Sequence, residues 1–108
     1  MKFIKWHFRN NSKRAHGSTN KGKHPSLVIA ETDDGQSYIN LGLTHNKKRG
    51  HHTNVPIHNP QNWDETSYIR DDIRTDSKEY LSEILKDYKL CPEDIDAIWE
   101  IINKKNSH

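Results

Sequence analysis

Sulfur and large apolar side chains are scarce in this chain: among 108 residues there is one cysteine, one methionine and two phenylalanines, and apolar residues make up only 31%. A single cysteine, Cys91, excludes an internal disulfide and is not expected to make a thiolate zinc site, and its place before Pro92 suits the start of a helix better than a nucleophile. No run of eighteen apolar residues occurs, which argues against a transmembrane helix. The first residues also lack the charged, apolar and small-residue series of a signal peptide, so the expected location is the cytoplasm, with no membrane partner. The length predicts one domain over residues 1–108, with a thin core that self-association would help to cover.

Charge is plentiful but unevenly placed. Residues 1–60 carry ten Lys and Arg against three acids, and residues 61–108 carry seven against twelve, so the halves are +7 and −5. A basic face on a single domain concentrates polyanions, and phosphate contacts of that kind dominate nucleic-acid affinity. The plainer reading is a solvated surface.

Patterning predicts strands first and helices last. Met1–Phe8 alternates loosely as a first strand offering Phe3, Trp6 and Phe8 for packing, and Arg9–Lys23 reads as an exposed basic loop. His24–Glu31 holds the apolar run of a central strand entered through Pro25, and Thr32–Gly35 supplies the Asp-Gly pair of a hairpin returning as Gln36–Leu43. Asn54–His58, with Pro56 marking an edge or bulge, and Ser67–Arg74 read as two further strands. Asp76 three residues before Glu79 forms a capping-box variant, which with Tyr80, Leu81, Ile84, Leu85 and Tyr88 predicts a helix over Ser77–Tyr88. Pro92, Glu93 and Asp94 open a second helix running to about Asn103 with Ile95, Ile98, Trp99 and Ile102 on its apolar face. The order implies an α+β domain on a small antiparallel sheet or barrel.

Chemistry gathers in Leu41–Ile57, LGLTHNKKRGHHTNVPI, where Thr44 ends a strand and opens a loop of cations and imidazoles. His45, His51, His52 and His58 invite a metal reading, but no carboxylate stands among them, no cysteine is near in sequence and no HExxH pattern occurs, so no metal or other cofactor is expected. Trp63 and Tyr68 are candidates for base stacking, although one of them is expected in the core.

Taken in order, HPSLVI, LGLTHNKKRGHHTNVPI, SYIRDDIRT and PEDIDAIWEII make the chain similar to the MazF/PemK family of toxin ribonucleases from type II toxin-antitoxin modules, over Lys23 to Ile102. The resemblance implies a small SH3-like antiparallel β-barrel with C-terminal helices, a homodimer, and metal-independent cleavage of single-stranded RNA to 2′,3′-cyclic phosphate and 5′-hydroxyl ends. It also implies a cognate antitoxin whose acidic, flexible tail covers the RNA groove. Carried over by position, Thr44 is the residue that contacts the scissile phosphate, its hydroxyl donating to a non-bridging oxygen. His24 stands where the family has an arginine before proline; an imidazole, with an ordinary pKa of about 6.5, both removes and returns protons, but its charge is not permanent. Lys23 or Arg49 would supply that charge, and the RNA-binding set is Lys23, Lys47, Lys48, Arg49, His45 and Thr53.

Residues 1–22 depart from the family, lacking its glycine-aspartate pair on the first strand. Arg74 and Thr75 match its isoleucine-arginine-threonine stretch, where a structural link from strand to helix is the default. The plainer reading of Thr44 is a strand end capping a turn, and of His24 an exposed loop residue before proline. The competing functional class is a non-enzymatic interaction protein on the same fold, either like the gyrase-poisoning toxins or a phage-type inhibitor that uses its basic face to occupy a nucleic-acid groove.

Overall fold

A computed structural model describes residues 1–14, 24–49 and 52–106, with the side chains of Arg14, Arg49, His52, Lys105 and Asn106 outside the description. The described residues form an α+β fold of a mostly antiparallel sheet and one C-terminal helix. None of their helices is long and apolar enough to cross a membrane.

Strand β1 (Lys2–Asn11) is longer than its apolar alternation suggests and runs antiparallel to β2 (Pro25–Glu31), with an irregularity in register between Phe3 and His7. Residues 26–30 of β2 are all buried, as an unbroken apolar run in a central strand requires. The connection to β3 (Ser37–Thr44) closes through Thr32 and Ser37, and Gly35 sits there at φ 72° with nothing within 4 Å of a would-be Cβ. Backbone conformation, not space, therefore demands glycine.

β3 is the hub. One edge pairs with β2, and the other pairs along Ser37–Asn40 with β8 (Arg74–Ser77) and at Leu43–Thr44 with β7 (Thr66–Ile69). The expected single strand over Ser67–Arg74 is thus two strands, separated at 70–73 where Arg70 donates its backbone N–H to Gly42 O at 2.9 Å. β6 (Val55–His58) pairs with β7 and forms one edge, consistent with Pro56, whose side chain faces out. A separate ribbon joins β4 (Lys48–Arg49) to β5 (His52–Thr53).

The helix expected over Ser77–Tyr88 is not formed. A 3-10 turn at Lys78–Tyr80 leads into β9 (Leu81–Ile84), which pairs with β1 at Arg9↔Ile84 and Asn11↔Leu81 and forms the opposite edge. Asp76, the expected helix cap, is instead a buried strand residue, and Tyr80 lies in the turn against Lys13. The open edge of β1 offers hydrogen bonds, realised from Arg9 Nη1 to Ser82 O at 3.0 Å and from Leu85 N to Phe8 O at 2.8 Å. These long-range pairings outweigh a local helical pattern. No described strand joins β6 to β9, so the sheet is open.

The C-terminal helix forms as expected: Cys91 precedes a 3-10 turn at Pro92–Asp94 that continues as α1 (Ile95–Asn106), with acids in the first turns favoured by the helix dipole. Its Ile98, Ile101 and Ile102 join Phe8, Leu27, Ile29, Leu41 and Ile69 in the core. Trp99 packs against Trp6 and Phe3 with ring centroids 5.1 and 5.3 Å apart, which anchors the helix to β1.

A polar cluster is buried within the sheet. Asn11 Nδ2 lies 3.1 Å from Asp76 Oδ2, 3.2 Å from Asn40 Oδ1 and 3.4 Å from Ser26 Oγ. Asn40 Nδ2 donates to Asp76 Oδ2 at 3.1 Å, and Arg74 Nη2 to Asp76 Oδ1 at 3.2 Å. Arg74 therefore has a structural role, but within β8 and not as a link to a helix.

Two predictions follow from these interactions. Asp76→Ala removes an acceptor shared by two buried amides and the Arg74 guanidinium, and should cost about 2 kcal/mol in urea unfolding, whereas the exposed Glu79→Ala should stay within about 0.5 kcal/mol; equal costs would refute the cluster's importance. Lys78, bonded to Glu31 at 2.9 Å, lowers the Glu31 carboxyl pKa, first through the hydrogen bond and then through its charge. A depressed folded pKa adds stability above the ordinary glutamate value of about 4.3, and that stability is lost as pH falls through the folded value. Glu31→Gln should therefore flatten the acid limb of a Tm-versus-pH curve, by an amount that shrinks in high salt.

Candidate active site

Strand register brings the candidate residues together. Ser26 pairs with Gly42 and Leu27 with Leu41, and continuing that antiparallel register sets His24 opposite Thr44. The end of β1 pins His24 in place: its backbone N–H donates to Asn10 Oδ1 at 2.8 Å, and its carbonyl accepts from Asn11 N at 2.8 Å. Thr44 pairs across the other edge with Tyr68, and its Oγ1 accepts the Asn46 N–H at 3.2 Å, the local turn that starts the basic loop.

These strand ends open onto a cleft of about 500 Å³ lined by His24, Pro25, Leu43, Thr44, His45, Asn46, Asn59, Gln61, Arg70 and Tyr88. His24 Nε2 is buried without a hydrogen-bond partner among the described residues. A buried nitrogen left unpaired calls for a partner, which a small shift of the ring toward the cleft would let a bound group supply. Arg70, directly after β7, enters the same cleft with its Nε held 3.2 Å from Asp72 Oδ1. Tyr88 packs its ring on Phe8 at 5.8 Å, and burial first, then the Asp87 charge, raises its phenol pKa, so it stays a proton donor at neutral pH. Gln61 is oriented by its bond to Asp87 at 2.6 Å. An imidazole, a hydroxyl, a guanidinium and a phenol thus share one concave surface, a donor set suited to an anion such as a phosphodiester.

Of the expected residues, His24, Thr44 and His45 line the cleft. Lys47 and Lys48 are exposed on the ribbon beyond it, where the Asn54 side chain bonds Asn46 O at 2.8 Å and the Asn54 N–H bonds Lys47 O. Thr53 is exposed and lines a different hollow with Asp71 and Glu100. Lys23 and the Arg49 side chain lie outside the described residues. Trp63 is exposed, its Nε1 donating to Lys89 O at 3.4 Å, and Tyr68 is half-buried; neither belongs to the core cluster.

The sequence reading missed Arg70 and Tyr88. Arg70 stands inside SYIRDDIRT, but its place depends on the pairing of β7 with β3; Tyr88 was read as the apolar face of a helix that does not form. The separation of the histidines from cysteine is also corrected, since the donor atoms of His58, Cys91 and Glu93 lie within 4.8 Å of one another. Against protein families, curated proteins and solved structures, the chain finds no match.

Proposed function

We propose that this chain is an endoribonuclease toxin of the MazF/PemK type, cleaving single-stranded RNA without a metal. The observation that carries the reading is the meeting of His24, Thr44 and Arg70 at one cleft, with a histidine nitrogen there that has no partner among the described residues. On this reading the His24 imidazole removes the proton of a 2′-hydroxyl, whose oxygen attacks the adjacent phosphorus. Thr44 donates to a non-bridging oxygen as negative charge grows, and Arg70 provides the permanent charge that a histidine in place of arginine lacks.

In-line attack puts the nucleophile and the leaving group on opposite sides of phosphorus. Tyr88, the phenol that lines the same cleft, is the donor assigned to the leaving 5′ oxygen. The bond from phosphorus to that oxygen breaks as the bond to the 2′ oxygen forms, giving 2′,3′-cyclic phosphate and 5′-hydroxyl ends. The basic ribbon holds the flanking strand. The same reading carries an SH3-like barrel ancestry for the open sheet, a homodimer, a cytoplasmic location and an antitoxin with an acidic tail.

A second reading, a non-enzymatic interaction protein, draws support from an adjoining groove of about 590 Å³ that shares Tyr88 with the cleft. Trp6, Ile84, Leu85, Ile95 and Trp99 line it together with Lys5, Lys86 and Lys89. That surface fits a partner, not a reaction.

The purified chain incubated with mixed single-stranded RNA in excess chelator should yield cyclic-phosphate ends. His24→Ala should slow cleavage by about 10²- to 10⁴-fold, and Thr44→Ala and Arg70→Ala by about 10²-fold or more. Intact RNA, or undiminished cleavage by all three variants, would sink the assignment. Growth arrest by the Thr44→Ala variant with cellular RNA intact would favour the interaction reading.

A further inference from the structure

His58 ends the edge strand β6, and Cys91 and Glu93 flank Pro92 at the start of the helical segment, so the fold joins residues 33 and 35 positions apart. One donor atom from each lies within 4.8 Å of the others. The neighbouring Asp94, only 7% exposed, orients the histidine: its Oδ2 accepts the His58 backbone N–H at 2.9 Å, and both its oxygens lie 3.2 Å from His58 Nδ1.

A proton on Nδ1 satisfies that carboxylate and leaves the lone pair on Nε2, which points toward Glu93 with Oε2 at 3.9 Å. That separation is too long for a hydrogen bond. It is close to the edge of a tetrahedron about a zinc ion, about 3.5 Å for bonds of about 2.0 to 2.3 Å. Glu93 is exposed enough to swing inward, while Cys91 is buried and brings a sulfur to a wall shared with an imidazole and a carboxylate.

We propose that His58, Cys91 and Glu93 bind one zinc ion, with Asp94 as the positioning residue behind the histidine and a water as fourth ligand. Thiolate and imidazole donors select zinc over magnesium and calcium. A carboxylate on the second ring nitrogen is the usual support of a histidine ligand. The thiol releases its proton on binding. On the histidine side of the site, His58 and Asp94 line a hollow of about 310 Å³ with Trp63 and Glu65; Cys91 and Glu93 do not line it. The ion would staple β6 to the start of α1. None of the three ligands lines the cleft of His24 and Thr44, so the proposal stands or falls apart from RNA cleavage.

The test is a titration of the reduced full-length chain with Co²⁺, followed by displacement with Zn²⁺. One equivalent should produce a thiolate-to-cobalt charge-transfer band that zinc abolishes, and zinc should raise the Tm of the wild type. Cys91→Ser should lose the band. Because that buried change can disturb folding, the exposed Glu93→Gln is the second variant: it should keep its circular dichroism, bind cobalt at least tenfold more weakly and lose most of the zinc-induced rise in Tm. Absence of the band in the wild type, or a band and Tm shift undiminished in Glu93→Gln, would overturn the site.

Discussion

The buried carboxylate of Asp76 is the constraint on which the other strands depend. A charge in that position costs several kcal/mol unless it is paired and hydrogen-bonded, and the chain meets that cost with Asn11 from β1, Asn40 from β3 and Arg74 from its own strand. Each partner satisfies the carboxylate only in one register. Asn40 must face inward between β2 and β8, and a slip of one residue would turn it out and bring a neighbouring apolar side chain to the carboxylate. The polar cluster therefore acts as a register key for four strands. It also reaches the cleft, because the backbone of Asn11 bonds the carbonyl of His24. The same residue that closes the cluster holds the histidine beside the end of β3.

What could be read from the sequence follows the range of the interactions involved. The hairpin of β2 and β3 was legible because an apolar run, an Asp-Gly turn and a second apolar run lie within about twenty residues. The final helix was legible because Pro92, the acids after it and the isoleucine spacing act locally. The segment Ser77–Tyr88 carries an equally good local helical pattern and becomes an edge strand, since the vacant side of β1, some seventy residues away, offers it main-chain partners. Asp76 is the sharpest instance: the same residue suits a helix cap locally and a buried key globally, and burial decides.

The candidate site divides the same way. Thr44 was readable as the end of a strand, and His24 as a residue before a proline at the start of another; their juxtaposition follows from one hairpin register. Arg70 reaches the cleft only because β3 exchanges one neighbour for another along its length, β8 for β7, and that exchange leaves no short-range mark. The pairing of His58 with Cys91 and Asp94 is of the same long-range kind. Histidines crowded near Thr44 in sequence drew notice, yet among the described residues the one with a buried carboxylate behind it is His58, the farthest along the chain.

The division of charge between the halves acquires a physical meaning from these contacts. Of the twelve acids of the second half only two are buried, Asp76 in the sheet and Asp94 on the backbone and ring of His58; Asp72 meets Arg70 and Asp87 meets Gln61 nearer the surface, and most of the others are exposed. Cations of the first half include Lys47 and Lys48, exposed at the start of a ribbon that begins four residues after Thr44. A carboxylate paired with a cation, as Asp76 with Arg74 and Asp72 with Arg70, contributes little to the distant field because the two charges cancel, whereas a solvated lysine acts out to about a Debye length of 8 to 10 Å. An approaching polyanion meets those two exposed lysines beside the cleft, a local basic feature that the net charge of +2 does not reveal. The fold thus uses two carboxylates as interior ties and sets its exposed lysines on the ribbon beyond the cleft.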